Sequence, residues 1–244
     1  MAHSFEPVGY CIYCGARDRA LSREHIIPAG LNGNITLHKA SCSDCATITG
    51  RFEQSVLRGV LLGPRALMEM QSKRQPATHL EVLVEHGKEK LPIDEAPILM
   101  VMPKYQLPAA FGGPQERAGR KVSVWLRPLR ADFNKLLVKG SFATPVIHNP
   151  PFCRMLAKIA HSFAAATLRL EKFRPFLTDY ILKESGFIHQ FIGGTLDDFP
   201  QTEEMHSLRL IEMPESPHHV GVEIRLFGNL GGPVYVVAVG DDRV

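Results

Sequence analysis

Two cysteine pairs decide the fold of this chain: Cys11-Ile12-Tyr13-Cys14 and, further along, Cys42-Ser43-Asp44-Cys45. Each pair has the Cys-x-x-Cys spacing of a zinc knuckle, and two knuckles can close a tetrahedral four-thiolate site. A zinc ion bound in this way stabilises a unit too small to build a core of its own. We therefore predict structural Zn²⁺ held by Cys11, Cys14, Cys42 and Cys45.

The residues between the knuckles predict a hairpin followed by a helix. Leu21–Ile27 reads as a strand that ends at Pro28, and Ile35–Lys39 alternates apolar and polar residues like a returning strand. The segment between them, Gly30-Leu31-Asn32-Gly33-Asn34, contains an Asn-Gly turn signal. The second knuckle then opens a helix predicted over Ser43–Leu61. The gap between the knuckles exceeds the usual ribbon spacing of about 15–20 residues, which leaves room for this hairpin.

The same stretch resembles the zinc-containing HNH endonucleases, over roughly residues 10–60. The residues that carry the resemblance are the two knuckles, Glu24-His25-Ile26-Ile27-Pro28 and the Gly-rich turn with Asn34. The resemblance implies a ββα-metal fold, an endonuclease that hydrolyses nucleic acid, with DNA favoured over RNA as the substrate, and a catalytic Mg²⁺ or other divalent cation. Carried over, it implies Glu24 as a metal ligand, His25 as the general base and Asn34 as the residue that braces the hairpin loop, with Asn32 as the alternative.

This assignment makes chemical sense for hydrolysis of a phosphodiester bond. A neutral histidine can deprotonate the attacking water, and a neighbouring carboxylate is a hard ligand for Mg²⁺. Members of the family commonly carry His or Asn directly after the second knuckle as a further ligand, whereas this chain has Ala46. Glu53, two turns further along the predicted helix, is a candidate replacement. Other candidates are Asp44, Thr49 and His38.

The alanine also supports a hypothesis of another class, a non-catalytic zinc module that binds nucleic acid or a protein partner. The net charge of the chain is only +3, so a nucleic-acid partner requires clustered positive charge. The basic residues near the module outnumber the acidic ones and can neutralise phosphates. They are Arg17, Arg19, Arg23, Lys39, Arg51 and Arg58.

The remaining chain predicts a mixed α+β fold. We divide the whole chain into an HNH-like zinc module (residues 1–62), a helical linker (63–78) and an α+β domain (79–244). The α+β domain is a candidate for specificity, homo-oligomerisation or protein binding, and these alternatives stay open. Predicted strands include Lys135–Val138 and Phe187–Ile192. The longest predicted helix follows Pro150-Pro151 and has an apolar stripe. Its opposite, basic face is expected to be solvated and carries Arg154, Lys158, Ser162 and Arg169.

The composition of the chain indicates where in the cell the protein is expected to be located. No run approaches 18 apolar residues, so we expect no membrane span, and residues 1–7 lack the features of a signal peptide. Four of the five cysteines lie in knuckles, a usage that fits metal-bound thiolates in a reducing, cytoplasmic location better than disulfides. The fifth, Cys153, is expected to be a small core residue.

Overall fold

The computed structural model describes residues 3–70, 77–84, 87–130, 149–184, 188–214 and 216–242. Its fold is mixed α+β, as the sequence predicts. The predicted strand at Lys135–Val138 lies outside the described residues. Among the helices described, none is long and apolar enough to cross a membrane.

The N-terminal part forms a three-stranded sheet and a helix. Strands β1 (His3–Phe5), β2 (Leu21–His25) and β3 (Ile35–Cys42) lie in the order β1-β3-β2, with β1 parallel and β2 antiparallel to β3. Helix α1 (Ser43–Arg58) follows β3 without a loop, so the second knuckle spans the strand–helix junction. The predicted hairpin and helix are therefore present, and the start of β2 pairs with the end of β3 at Cys42 of the second knuckle.

The turn between β2 and β3 is held in one conformation by close backbone packing. A Cβ atom at Gly33 would lie 2.1 Å from the carbonyl oxygen of Ile27, so only glycine fits there. The guanidinium of Arg65 donates to the carbonyl of Gly30 at 2.6 Å. These contacts fix the conformation of the turn that follows β2, and therefore the position of His25 at the end of that strand.

The middle of the chain consists of a short helix and two hairpins. Helix α2 (Leu62–Leu67) lies in the predicted linker. Strands β4 (His79–Val84) and β5 (Gly87–Pro92) pair antiparallel, as do β6 (Ile98–Tyr105) and β7 (Val122–Arg130). Every residue of β6 is buried, because both faces of this strand are covered.

A five-stranded sheet and three helices complete the fold. The helices are α3 (Asn149–Leu168), α4 (Thr178–Lys183) and α5 (Ile188–Phe191). In the sheet, β10-β11-β12-β8 lie side by side and β9 also pairs with β12. Its strands are β8 (Arg174–Pro175), β9 (Ile192–Gly194), β10 (His206–Met213), β11 (Ser216–Leu226) and β12 (Val234–Asp241).

The segment predicted as a strand at Phe187–Ile192 is mostly helical from Ile188, so that prediction was wrong there. Only Ile192 belongs to a strand, β9, which continues to Gly194. The ring of Phe191 packs against Phe176 at 5.2 Å between centroids. Long-range packing of this aromatic side chain accompanies the helical turn, and a six-residue apolar pattern alone cannot distinguish the two structures.

Helix α3 is the centre of the molecule. It contacts α1, α4, β11 and β12, and apolar or small residues occupy nearly all of its sides. The face expected to be solvated is therefore largely buried: Lys158 is 1% and Ser162 0% exposed. That expectation was wrong because the zinc module packs on this face of the helix.

The larger of two hydrophobic clusters in the described structure extends from the N-terminal part to the C-terminal sheet, while the smaller one contains Phe111, Val236 and Ala238. The larger cluster contains Leu37 and Phe52 from the N-terminal part, Leu156 from α3, and Ile224 and Val237 from the C-terminal sheet. Residues of the predicted zinc module and of the predicted α+β domain thus share a continuous interior.

Candidate metal centre and buried charged cluster

The four knuckle cysteines form one cluster that can hold a metal ion. Their sulfur atoms all lie within 4.8 Å of one another, and the Cys14 and Cys42 sulfurs are 3.8 Å apart. Tetrahedral zinc with Zn–S bonds of about 2.3 Å requires sulfur–sulfur distances of about 3.8 Å. The donor set and its spacing therefore fit structural zinc, as predicted.

The cysteines of the cluster differ in acidity, because burial raises the pKa values of Cys11 and Cys45. Burial raises the pKa of Cys42, but hydrogen bonds from Cys45, Cys11 and Cys14 outweigh it and lower the pKa to about 7. One thiolate is thus available near neutral pH, and a bound ion removes the remaining thiol protons.

The first knuckle docks directly on helix α3. The carbonyl oxygen of Ile12 accepts a hydrogen bond of 2.7 Å from Nε2 of His161, and the hydroxyl of Tyr13 bonds to Ser162 at 3.0 Å. All four side chains are buried. Burial lowers the pKa of His161 to about 4, so its ring is neutral at physiological pH.

Beneath the zinc module lies a buried charged cluster centred on Lys158. Its Nζ atom is 2.6 Å from Oε1 of Glu24 and 2.9 Å from Oε1 of Glu53. The same ammonium donates to the carbonyl oxygens of His25 and Ile26. The two carboxylates proposed as ligands of a catalytic cation are thus brought together, and an ammonium group lies between them.

The charges in this cluster stabilise one another. Burial opposes the charge on Lys158, but the carboxylates of Glu24 and Glu53 outweigh it and raise the pKa of the ammonium. Burial raises the pKa of Glu53, while Lys158 works against this rise. With two carboxylates and one ammonium the cluster carries a formal excess of one negative charge, and repulsion from Glu24 adds to the rise that burial causes in the pKa of Glu53.

His25 lies beside the cluster at the end of β2. Burial lowers its pKa, and the nearby cations Arg23 and Lys158 lower it further, so the imidazole is neutral at pH 7. Its Nδ1 atom is buried and forms no hydrogen bond among the described residues. A neutral imidazole with an unprotonated nitrogen is the form that a general base requires.

The remaining predicted site residues lie at the surface. Asn34 and Asn32 are both exposed in the turn, and Asn32 has a left-handed backbone with φ of 58°. Asp44 is exposed and pairs with Arg19 at 2.7 Å, and His38 is exposed on β3.

Helix α1 also carries Thr49, a candidate ligand, and Ala46, the position at which the family commonly has a ligand. Thr49 is buried and donates to the carbonyl of Ala46 at 3.2 Å. Ala46 itself offers no ligand atom. Of the alternatives considered for the third ligand, Glu53 is therefore the one that contacts the buried cluster.

The sequence did not identify Lys158, His161 and Ser162 as site residues. All three are on α3 and contact residues of the N-terminal part. A usable signal was present. Helix α3 is apolar or small on nearly every side, and a lysine inside such a helix needs a buried carboxylate partner. What the pattern could not supply is the identity of that partner.

Positive charge covers the outside of the zinc module. All six basic side chains named from the sequence are exposed, whereas the exposed carboxylates within residues 3–62 are Glu6, Asp18 and Asp44. Arg51 and Arg58 lie seven residues apart on the exposed face of α1, so they project from the same side two turns apart. Arg23 is also exposed, at the bulge of β2 between Ser22 and Glu24.

Comparisons with protein-family models, with curated proteins and with solved structures return no match for this chain. The resemblance to HNH endonucleases therefore rests on its motif residues, of which the four-cysteine cluster has the geometry expected of it.

Proposed function

We propose that this protein is a zinc-stabilised nucleic-acid-binding protein that does not hydrolyse phosphodiester bonds at Glu24 and His25. The observation that carries this proposal is the position of Lys158. Its ammonium group lies within 2.9 Å of both carboxylates, where an HNH-type nuclease would need a divalent cation. An ammonium and a divalent ion cannot share that position, because their repulsion in a buried site is severe.

Access supports the same conclusion. Glu24 is 6% exposed and Lys158 1% exposed, so a scissile phosphate cannot approach an ion held between Glu24 and Glu53 without rearrangement of α3. The exposed arginines of α1 and of the β2 bulge, by contrast, can reach a phosphate backbone directly. We assign them to sequence-independent contacts with DNA.

Two assays test the proposal together. Fluorescence anisotropy with a labelled DNA duplex should show binding that weakens roughly 40-fold between about 50 and 200 mM salt, the change expected for three phosphate contacts. Supercoiled plasmid incubated with the zinc-loaded protein and Mg²⁺, Mn²⁺ or Ca²⁺ should stay intact. Absence of salt-dependent binding would refute the nucleic-acid function.

Metal-dependent endonuclease activity is the second candidate. The neutral ring of His25 beside Glu24 and Glu53 favours it, since these are the base and ligands that hydrolysis requires. In this alternative a divalent ion displaces Lys158, and Asn34 braces the hairpin. Nicking by the wild type that disappears in His25→Ala, with zinc content unchanged, would establish the nuclease and overturn the non-catalytic proposal.

A further inference from the structure

Strand β7 carries a stripe of exposed apolar side chains. Val122, Val124 and Leu126 are 58%, 52% and 41% exposed, and among the residues that the structure describes they are the large hydrophobic side chains left at the surface. Because successive side chains of a strand alternate between its two faces, all three project from one face of β7, about 7 Å apart. Single exposed apolar residues are common, whereas a contiguous row of them marks an interaction site.

The backbone beside this stripe is also open. In the described part of the chain, β7 pairs with β6 alone. Val124 pairs with Pro103, which has no N–H to donate and whose carbonyl accepts from the hydroxyl of Tyr235. Both facts make this a non-hydrogen-bonded pair, in which the N–H and C=O groups of Val124 face away from β6. By the alternation of the ladder, the same groups of Val122 and Leu126 face outward, where a further strand can bond to them.

Positive charge lies at both ends of the stripe. Lys121 precedes it and Arg127 follows it, and residues 121–130 contain no acidic side chain. If two copies of β7 paired antiparallel about Val124, Lys121 of each copy would lie opposite Arg127 of the other. Like charges placed opposite each other destabilise a strand pair. A strand with a carboxylate at each end would instead meet both cations with opposite charge.

We infer that the outer edge of β7 binds an extended acidic segment of a partner protein, which adds to β6 and β7 as a third strand. In this binding mode backbone hydrogen bonds supply affinity, and the alternating side chains supply selectivity. The matching pattern is Glu-Val-Thr-Val-Thr-Val-Glu, run antiparallel to β7. Its valines then lie beside the apolar stripe, and its glutamates lie beside Arg127 and Lys121. Neither the zinc cluster nor binding of nucleic acid enters this inference.

The test is binding of this heptapeptide, blocked at both termini, to the full-length zinc-loaded protein. Trp125 reports binding at the right place, because it is the single tryptophan of the chain and lies half-buried on β7. We expect a saturable change in tryptophan emission. Affinity should be roughly tenfold higher than for a peptide with lysine in place of both glutamates, or for one with threonine in place of the valines.

Variants of β7 test the same match from the side of the protein. Lys121→Glu should weaken binding of the glutamate-ended peptide several-fold and strengthen binding of the lysine-ended one. Lys90→Glu is the matched control, since Lys90 is an exposed lysine on β5, and it should change neither affinity. Val124→Glu should weaken binding of the glutamate-ended peptide roughly tenfold, because it interrupts the apolar stripe and repels the carboxylates. Melting temperatures establish that each variant is folded.

Three results would overturn the inference, and each can be obtained with the wild type. Tryptophan emission that stays constant at every peptide concentration is one, and it is also expected if another part of this chain covers the edge. Equal affinity for all three peptides is the second, because neither charge nor apolar side chains would then be matched. The third is concentration-dependent dimerisation in sedimentation velocity that the glutamate-ended peptide does not compete with, which would assign the edge to a second copy.

Discussion

At the scale of single residues, Lys158 sets the chemistry of the candidate site. It turns two carboxylates that look like metal ligands into partners of an internal ion pair. Such a buried arrangement contributes little net stability compared with apolar packing, but removal of one partner is costly because the others remain charged and desolvated. The role of the lysine is therefore best measured by removing it.

Lys158→Met should lower the free energy of unfolding by about 3–5 kcal/mol at pH 7, because Glu24 and Glu53 lose their counter-charge while the apolar volume is kept. Urea denaturation followed by circular dichroism measures this change. Lys183→Met is the control, since Lys183 pairs with Asp179 on the surface and each side chain is at least 70% exposed. That variant should stay within about 0.5 kcal/mol of the wild type. Similar stabilities for both variants would contradict the prediction.

One buried histidine, His161, and one partly buried histidine, His206, should make the fold acid-sensitive. Burial lowers the pKa values of His161 and His206 to about 4. The unfolded chain binds these protons below about pH 6.5 and the folded protein does not, so stability is complete above that pH and falls as the pH drops toward 4. Near pH 5 the slope should approach two protons, about 2.7 kcal/mol per pH unit, in urea titrations at constant ionic strength.

The variant His206→Gln isolates one of these protons. Nε2 of His206 donates to the carbonyl of Leu31 at 2.8 Å while Nδ1 accepts from the amide of Phe227 at 3.2 Å, an arrangement that only the neutral ring can make. Its replacement should reduce the slope by about one proton. Glu53, whose raised pKa acts in the opposite direction, contributes equally to both proteins. An unchanged slope would show that His206 does not titrate as described.

At the scale of secondary-structure elements, the zinc knuckles and helix α1 separate two tasks. The knuckles fasten the strand–helix junction to α3 through the backbone of Ile12 and the hydroxyl of Tyr13. The exposed face of α1 carries the charged side chains of Arg51 and Arg58, which lie at the surface, unlike the buried contacts between the knuckles and α3. Changes at the cysteines should therefore affect folding, and changes on the face of α1 should affect binding alone.

Zinc content tests the first task. The wild type should contain one zinc ion per chain by mass spectrometry of metals, and Cys14→Ser should lose it because three thiolates leave the tetrahedral site incomplete. Loss of the knuckle deprives His161 of the carbonyl of Ile12 and Ser162 of the hydroxyl of Tyr13, so the melting temperature should fall by several degrees. Cys153→Ser, a buried cysteine outside the cluster, should retain the metal. Full zinc occupancy in Cys14→Ser would contradict the four-cysteine site.

Charge removal tests the second task. Arg51→Ala and Arg58→Ala should each weaken DNA binding several-fold and reduce the slope of log affinity against log salt by about 0.9, the value for one phosphate contact. Gln54→Ala lies on the same exposed side of α1 and should change neither quantity. Stability should be the same in all three variants. Equal salt slopes for the arginine variants and the wild type would exclude this face from the interface.

At the scale of the whole molecule, the zinc module is built into the C-terminal half. Lys158, His161 and His206, all from the C-terminal half, donate hydrogen bonds to backbone carbonyls of the N-terminal part. The hydrophobic core is continuous across the same boundary. The division at residue 62 predicted from sequence therefore needs a direct test.

A fragment of residues 1–62 provides that test. We expect it to bind zinc but to lack the dispersed amide signals of a folded protein in a proton–nitrogen correlation spectrum. The reason is that Ile12, Leu37 and Phe52 lose the apolar partners that cover them in the full chain. The full-length protein, with one zinc ion bound, is the control. A dispersed spectrum from the zinc-loaded fragment would establish the module as an independent domain.

Sequence alone determined the local part of this structure. The knuckle spacing identified the metal cluster, and the alternation and turn signals between the knuckles identified the hairpin and helix, because these patterns arise from neighbours within a few residues. Glu24 and His25 were chosen as candidates from the motif, Glu53 was chosen as a replacement ligand further along the helix, and the structure brings the three together. The apolar composition of α3 also indicates that this helix is buried. The polar residues on one of its faces were nevertheless interpreted as solvated.

The composition of the candidate site depends on contacts between distant parts of the chain. The partners of Lys158 lie more than 100 residues away in the chain. The residues next to Glu24 and Glu53 in the sequence therefore do not predict that a lysine from another helix pairs with them. Carboxylates that await a divalent ion and carboxylates that pair with a lysine have the same sequence signature, because both are acidic side chains at the same positions. The distinction depends on which cation the fold places between them, and here that cation is the side chain of Lys158.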